Sequence, residues 1–276
     1  MTQQQVPAVL EPHGGSASTA LDPTCGTQPM HQTARRNIWP SVKNAVLARF
    51  SPQDRAALDQ FLEPIVLKER TILLSPKSHL EYVYFIESGL VSLRIVAAGS
   101  ILETAVIGYR GAVGASLLLG GHLSTHQCVV LLTGTAYRIP VEDLRRVMDE
   151  RPQIREHLFR YVHALGVHCA QTGLCGVRHD REKRLASWLC LASDAVGAHV
   201  LPVTHDYLSS VLGLRRASVT ETLIRFQEQR LIRQMRGALQ IDERKALEQR
   251  ACGCYKLISD SYASSASVSS PKERPI

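Results

Sequence analysis

No secretory signal opens the chain. Met1-Thr2-Gln3-Gln4-Gln5 has neither a basic start nor an apolar stretch, so export is not expected and a cytoplasmic location is. A membrane span is missing too, although residues 111–137 hold no Lys, Arg, Asp or Glu over 27 positions, a length that would cross about 30 Å of hydrocarbon. Five glycines, two histidines and several hydroxyl side chains interrupt that segment. Its longest apolar run, Cys128-Val129-Val130-Leu131-Leu132, has the length of a buried strand. No disulfide framework is expected, because the seven cysteines (Cys25, Cys128, Cys169, Cys175, Cys190, Cys252 and Cys254) are scattered and odd in number. No repeat of solenoid period is present.

The two ends lack the means to build a core. Residues 1–36 contain four prolines, no aromatic residue and 11 apolar residues, too few to offset the entropy of ordering. Residues 259–276 include seven serines among 18 positions. Both segments are expected as disordered tails, leaving 37–258 as the folded part. With 45% apolar residues and domains of typically ~150 residues, the chain has material for two cores. Lys and Arg exceed Asp and Glu by 32 to 25, a net charge of +7 that suits a polyanionic partner.

Residues 51–62 read as a helix capped by Ser51 with Pro52 at its first position. From there to Pro140 the pattern is of short strands, at residues 65–67, 82–86, 90–95, 102–107 and 128–132, separated by Ser-Pro, Ser-Gly, Ala-Gly-Ser and Gly-Gly turn signals. Many short strands with frequent turns predict an antiparallel sandwich or barrel over 37–151.

The period then becomes helical. Pro152 opens a helix expected to run to residue 177, along which Ile154, Leu158, Tyr161, Leu165, His168 and Thr172 follow heptad spacing. A core-facing stripe fits that spacing equally well. The length favours pairing with a second copy, since ~26 residues at 1.5 Å each make a rod of nearly 40 Å. Ile154, Leu158, Tyr161, Leu165 and His168 are therefore the expected dimer contacts.

The segment 178–258 is the most informative. Thr204 can cap a short helix whose Leu208, Val211 and Leu212 face inward, Gly213 permits a tight turn, and Val219, Leu223 and Phe226 repeat on a second helix at about 216–229. This is helix-turn-helix spacing. In that geometry the start of the second helix enters the major groove, so Thr204, His205, Arg215, Arg216, Ala217, Ser218, Thr220 and Glu221 are the candidates to meet DNA. Residues 231–241 read as two strands about Arg236-Gly237, a wing that adds Arg236 to the set. Residues 201–240 hold six arginines against Asp206, Glu221 and Glu228, which puts basic charge where phosphates would lie.

Over about residues 45–256 the chain resembles the Crp/Fnr superfamily of bacterial transcription regulators. Tyr84-Phe85-Ile86-Glu87-Ser88-Gly89-Leu90-Val91 is similar to the family's β-roll signature, the 152–177 helix to its dimerisation helix, and 203–223 with the Arg236-Gly237 wing to its DNA-binding domain. Arg215-Arg216-Ala217-Ser218-Val219-Thr220 and Ala251-Cys252-Gly253-Cys254-Tyr255 look like one large branch of it. The resemblance implies an α+β chain: an amino-terminal antiparallel β-roll of jelly-roll type, a long dimerisation helix and a carboxy-terminal winged helix-turn-helix. It also implies a cytoplasmic homodimer that regulates transcription, binds an inverted repeat in double-stranded DNA and acts on RNA polymerase, with no membrane and no enzymatic activity. Members reading the best-known half-site carry Glu and, four residues later, Arg on the recognition helix. Here those positions are Ala217 and Glu221, so a different target is expected, with Arg216 and Arg215 reading guanine.

Cyclic-nucleotide-binding relatives hold the ribose with a Glu and the phosphate with an Arg-Ser pair. The matching region for the first is residues 108–115, which hold no Glu, and Ser124-Thr125 stand where the Arg-Ser pair would be, so cyclic AMP or GMP is not the expected effector, and none is assigned. Arg110 reads as a turn-exposed arginine. A thiol- or metal-responsive regulator of the same fold is the alternative, with a cyclic-nucleotide-responsive signalling module behind it. Cys25 alone does not make an iron–sulfur site. The pairs Cys169 and Cys175, Cys252 and Cys254, and His163 and His168 match no closed zinc pattern, so no metal and no cofactor are expected. An enzyme pairing Cys128 with His122 or His126 has no motif behind it.

Overall fold

The computed structural model describes residues 42–266, apart from 98, 99 and 122. The amino-terminal tail with Cys25, the end from 267 onward and His122 lie outside the described residues.

Ser51 caps α1 (Pro52–Asp59) as expected: its Oγ accepts from the Asp54 N–H at 3.2 Å and donates to the Asp54 carboxylate at 2.7 Å. Two four-stranded antiparallel sheets follow. One has the order β1-β8-β3-β6 and the other β2-β7-β4-β5, where the strands are β1 (Glu63–Leu67), β2 (Ile72–Leu74), β3 (Tyr82–Ile86), β4 (Leu90–Ala97), β5 (Ser100–Ile107), β6 (Ala112–Val113), β7 (Gln127–Leu132) and β8 (Gly134–Pro140). The sequence pattern does not single out β2, β6 or β8. Gly134, Arg138 and Pro140 hide β8 although Ala136 and Ile139 are buried and it pairs with both β1 and β3. Gly89, the glycine of the β-roll signature, turns between β3 and β4 with φ +87°. A Cβ there would lie 2.5 Å from the Leu132 carbonyl oxygen, so only glycine fits.

Beyond the roll lie α2 (Val141–Glu150) and α3 (Pro152–Arg178), which Pro152 opens. The expected dimer stripe turns out to be the chain's own core. Ile154, Leu158, Tyr161, Leu165 and His168 are all buried within the single chain, the first four against the apolar side chains that fill the β-roll. The Tyr161 hydroxyl donates to the Ala112 carbonyl at 2.9 Å. The reason is that two layers cover this face: the roll on one side and a carboxy-terminal helix on the other.

That second layer corrects the expected disorder of 259–276. Residues 259–266 belong to α8 (Gly253–Ala266), which packs along α3. Tyr255, Ile258 and Tyr262 recur at helical spacing, the first two buried and Tyr262 half-buried against the core, overriding the serine-rich composition. Tyr262 sits edge-on to His168, with its hydroxyl 3.2 Å from Nδ1.

The remaining elements form the carboxy-terminal domain: α4 (Arg181–Val196), β9 (Val200–Leu201), α5 (His205–Leu212), α6 (Arg216–Glu228), β10 (Ile232–Met235), β11 (Ala238–Ile241) and α7 (Arg244–Arg250), with the small sheet in the order β10-β11-β9. Their apolar faces meet in a second core around Leu189, Leu208, Leu223 and Phe226.

Burial pushes the His168 imidazole down to about 4. The folded chain therefore refuses a proton that the unfolded chain accepts, and stability falls as pH drops from the ordinary histidine range, about 6.5, toward 4. Full loss amounts to on the order of 3 kcal/mol. His168→Leu should flatten that acid limb of the unfolding free energy measured with urea, and an unchanged limb would contradict the assignment.

Candidate nucleic-acid interface

Thr204 caps α5, its Oγ1 accepting from the Tyr207 N–H at 3.2 Å. Gly213 ends that helix in the left-handed conformation at φ +58°. Arg215 follows in an extended conformation, and α6 begins with no acidic residue in its first turn. Its free N–H groups and the positive end of its dipole therefore face outward with Arg215, Arg216 and Ala217, all exposed. This is an arrangement suited to phosphate oxygens.

Among the residues singled out from the sequence, Thr204, Arg215, Arg216, Ala217 and Glu221 are exposed, and His205, Ser218 and Thr220 are half-buried. His205 Nδ1 lies 3.0 Å from Thr220 Oγ1, a bond between the two helices that fixes their crossing. Arg236 is exposed at the turn of the β10–β11 hairpin, next to Gly237 at φ +74°. Two residues the sequence reading passed over hold this face. Asp206 accepts from Arg216 Nε at 2.9 Å, and Arg181 on α4 reaches both Glu221 at 3.1 Å and Ser218 at 3.3 Å. Both ion pairs are solvent-exposed, each worth roughly 0–1 kcal/mol and open to replacement by a phosphate or a base. No sequence signal marks Arg181, because the pairing depends on how α4 crosses α6.

A third overlooked residue joins the two domains. Glu103 on β5 is buried. Its Oε1 accepts from Trp188 Nε1 on α4 at 2.5 Å; its Oε2 accepts from the Tyr207 hydroxyl on α5 at 2.5 Å and from Ser92 Oγ on β4. The signal was present: a lone carboxylate inside the apolar run of 102–107 demands partners. Nearby, a cavity of about 50 Å³ lies between β5, α3, α4, α5 and α8, lined by Glu103, His168, Trp188 and Val211 among others.

Two family models match this chain. The cyclic nucleotide-binding domain covers residues 64–151 and the Crp-like helix-turn-helix domain covers residues 183–250. Together they span more than half of the sequence. The chain belongs to the Crp/Fnr superfamily. A Crp/Fnr-family transcriptional regulator from Eubacterium rectale is similar in structure at 17% identity, with a TM-score of 0.58 over 74% of this chain and 96% of that one. FixK2 from Bradyrhizobium japonicum matches at 16% identity and a TM-score of 0.60, over 69% of this chain and 98% of its own. CLP, the c-di-GMP responsive global regulator of Xanthomonas campestris, matches at 15% identity and 0.58, over 69% and 99%. These likenesses are of fold. No curated protein sequence matches the chain.

The segments that the resemblance sets against the ribose and phosphate anchors of cyclic-nucleotide binders include Ala115 and Ser124. Ala115 is fully buried, and Ser124 spends its hydroxyl on the His126 carbonyl at 2.7 Å. Neither position offers a carboxylate or guanidinium. Arg110 is exposed, stacked on Tyr109 with its Nε 3.1 Å from that hydroxyl. The Cys128 thiol is buried and pushed up to about 12 by burial, the opposite of what a nucleophile needs.

One expectation is corrected here: Cys175, Cys252 and Cys254 are not separate packed thiols. They converge with His179, whose four-residue spacing from Cys175 is legible in the sequence while its meeting with Cys252 and Cys254 is not.

Burial pushes the Glu103 carboxyl above its usual range, against the three hydrogen bonds that lower it. The folded chain then holds a proton the unfolded chain releases, so its contribution to stability is full at acidic pH and shrinks as pH rises through the ordinary carboxylate range. Glu103→Gln keeps an acceptor for Trp188 and loses the titration. Its melting temperature relative to wild type should improve from about pH 4 to about pH 8. A difference that does not change with pH would contradict this. Glu103→Ala strands the Trp188 and Tyr207 donors, at about 1–3 kcal/mol each, and should speed hydrogen exchange in α5 before that in the β-roll.

Proposed function

We propose that this chain is a homodimeric transcription regulator that binds an inverted-repeat DNA site in the cytoplasm, acting on RNA polymerase as the superfamily resemblance implies. The observation that carries the reading is the exposed amino-terminal end of α6, where Arg215 and Arg216 stand free of the core on the same domain as Arg236 at the wing tip. Arg216, released from Asp206, is the best placed side chain to meet a guanine edge with two hydrogen bonds. Ala217 and Glu221 stand where the best-known half-site requires other residues, which supports a distinct target.

The dimer contact belongs on the outer face of α3 rather than the inner one. Phe159, His163, Gly166, Ala170, Gly173 and Val177 are exposed and follow heptad spacing, with Val177 82% accessible. A Cβ added at Gly166 or Gly173 would meet nothing within 4 Å, so the stripe is open and flat enough for a second helix to approach.

Three results test these statements. Affinity for a mixed-sequence duplex, followed by fluorescence anisotropy across salt concentrations, should fall steeply with salt, and Arg215→Ala or Arg236→Ala should each reduce the log–log slope by about one. A slope near zero in the wild type would contradict phosphate binding. Ala170→Glu should yield monomers by light scattering with unchanged circular dichroism, whereas Leu165→Glu should unfold the chain. A dimer that survives Ala170→Glu would overturn the outer-face assignment.

A further inference from the structure

We propose that Cys175, His179, Cys252 and Cys254 bind one zinc ion that pins the end of the long helix α3 to the start of α8. The ligand atoms of all four residues lie within 4.8 Å of one another. Cys175 Sγ and Cys252 Sγ are 3.4 Å apart, and Cys254 Sγ is 3.6 Å from His179 Nδ1. Zinc bound at about 2.3 Å to sulfur and about 2.0 Å to nitrogen in a tetrahedron requires edges of about 3.5–3.8 Å. The side chains therefore already enclose the volume of a single ion.

The donor set points the same way. Three thiols and one imidazole make a closed four-ligand site, the composition of structural zinc centres rather than of catalytic ones, which keep a position open. Soft sulfur donors select zinc over magnesium or calcium. An iron–sulfur cluster spreads its thiolates over several irons, whereas these donors converge on one point. The three cysteines are buried in a small cluster of their own, apart from both hydrophobic cores, and His179 closes it at the surface. Among the described residues no other group of metal-ligating side chains converges in this way.

Local backbone structure explains the convergence. Cys175 and His179 are one turn apart at the end of α3, where the His179 N–H donates to the Cys175 carbonyl at 3.2 Å. Cys252 and Cys254 flank Gly253 between α7 and α8. Ser187 on α4 accepts from the Cys252 N–H at 3.1 Å and lies 3.2 Å from its sulfur, the kind of outer contact that orients a metal ligand. Zinc binding forms three Zn–S bonds and one Zn–N bond, and the three thiol protons leave to solvent. Three thiolates and Zn²⁺ sum to −1. Arg184 supplies the offsetting charge beside Gly176, and its guanidinium also donates to the Leu212 carbonyl at the end of α5. The ion would thus join α3 and α8 directly and reach the helix-turn-helix through one arginine.

The test uses the full chain, purified with reductant, stripped with chelator and titrated anaerobically with Zn²⁺ and separately with Co²⁺. The expected result is one zinc per chain by elemental analysis, a higher melting temperature with zinc, and a Co²⁺ spectrum showing tetrahedral ligand-field bands with sulfur-to-metal charge transfer. Cys254→Ser should abolish uptake. If that variant fails to fold, His179→Gln decides, since His179 is at the half-exposed edge; it should fold and weaken zinc binding by more than about 100-fold, beyond what loss of an outer-shell partner costs. Cys169→Ser, outside the cluster, should bind zinc as wild type does. A folded, reduced chain that takes up no zinc would overturn the proposal. So would an octahedral Co²⁺ spectrum, uptake unaffected by both ligand variants, or a Cys175–Cys252 disulfide that persists in place of metal.

Discussion

Glu103 places a carboxyl group in the interior of the molecule, and the placement of the DNA-binding domain rests on how that group is satisfied. A buried carboxyl group without partners costs about 1–3 kcal/mol, and more if ionised. Glu103 meets this demand by drawing Ser92, Trp188 and Tyr207 onto its two oxygens, so that β4, β5, α4 and α5 share one polar centre inside an otherwise apolar junction. Because hydrogen bonds are directional where apolar contacts are not, this centre fixes the rotation of the winged helix against the β-roll. The small cavity beside it shows that packing alone does not fill the junction.

The long helix then has two jobs on two faces. Its inner stripe closes the β-roll and receives α8; its outer stripe of small and apolar residues is left to solvent in the single chain. Where α3 ends, the cysteine cluster gathers Cys175 and His179 with the residues that start α8. The helix that closes the β-roll thus also lies, at its far end, beside the residues that start α8. Two polar contacts reach α5 from outside it: Glu103 of the β-roll meets Tyr207, and Arg184 of α4 meets the Leu212 carbonyl.

Much of this was legible in the sequence because local signals and tertiary placement agree. Ser51, Pro52, Thr204 and Gly213 mark helix ends by chemistry that acts within a few residues, and the structure uses each as expected. The strands at 82–86 and 128–132 stand out because their β-rich apolar runs are bounded by turns. The heptad on α3 was visible, but period cannot say which partner covers a stripe, and α8 was hidden by its serines. Glu103 and the four metal-ligating residues depend on long-range geometry: His179 and Cys252 meet only because α4 and α7 turn the chain back on itself. The exposed residues at the start of α6 sit between these cases, since their exposure follows from the helix pattern while their partners Asp206 and Arg181 do not.

The central claim is that the exposed end of α6, presented twice by a dimer, reads a specific DNA sequence. The most direct measurement is selection of bound sequences from a random double-stranded pool by the purified protein, with and without added zinc. Enrichment of an inverted repeat with half-sites about one helical turn apart is the predicted result. No enrichment in either condition, or enrichment of a single half-site by a monomer, would contradict the account.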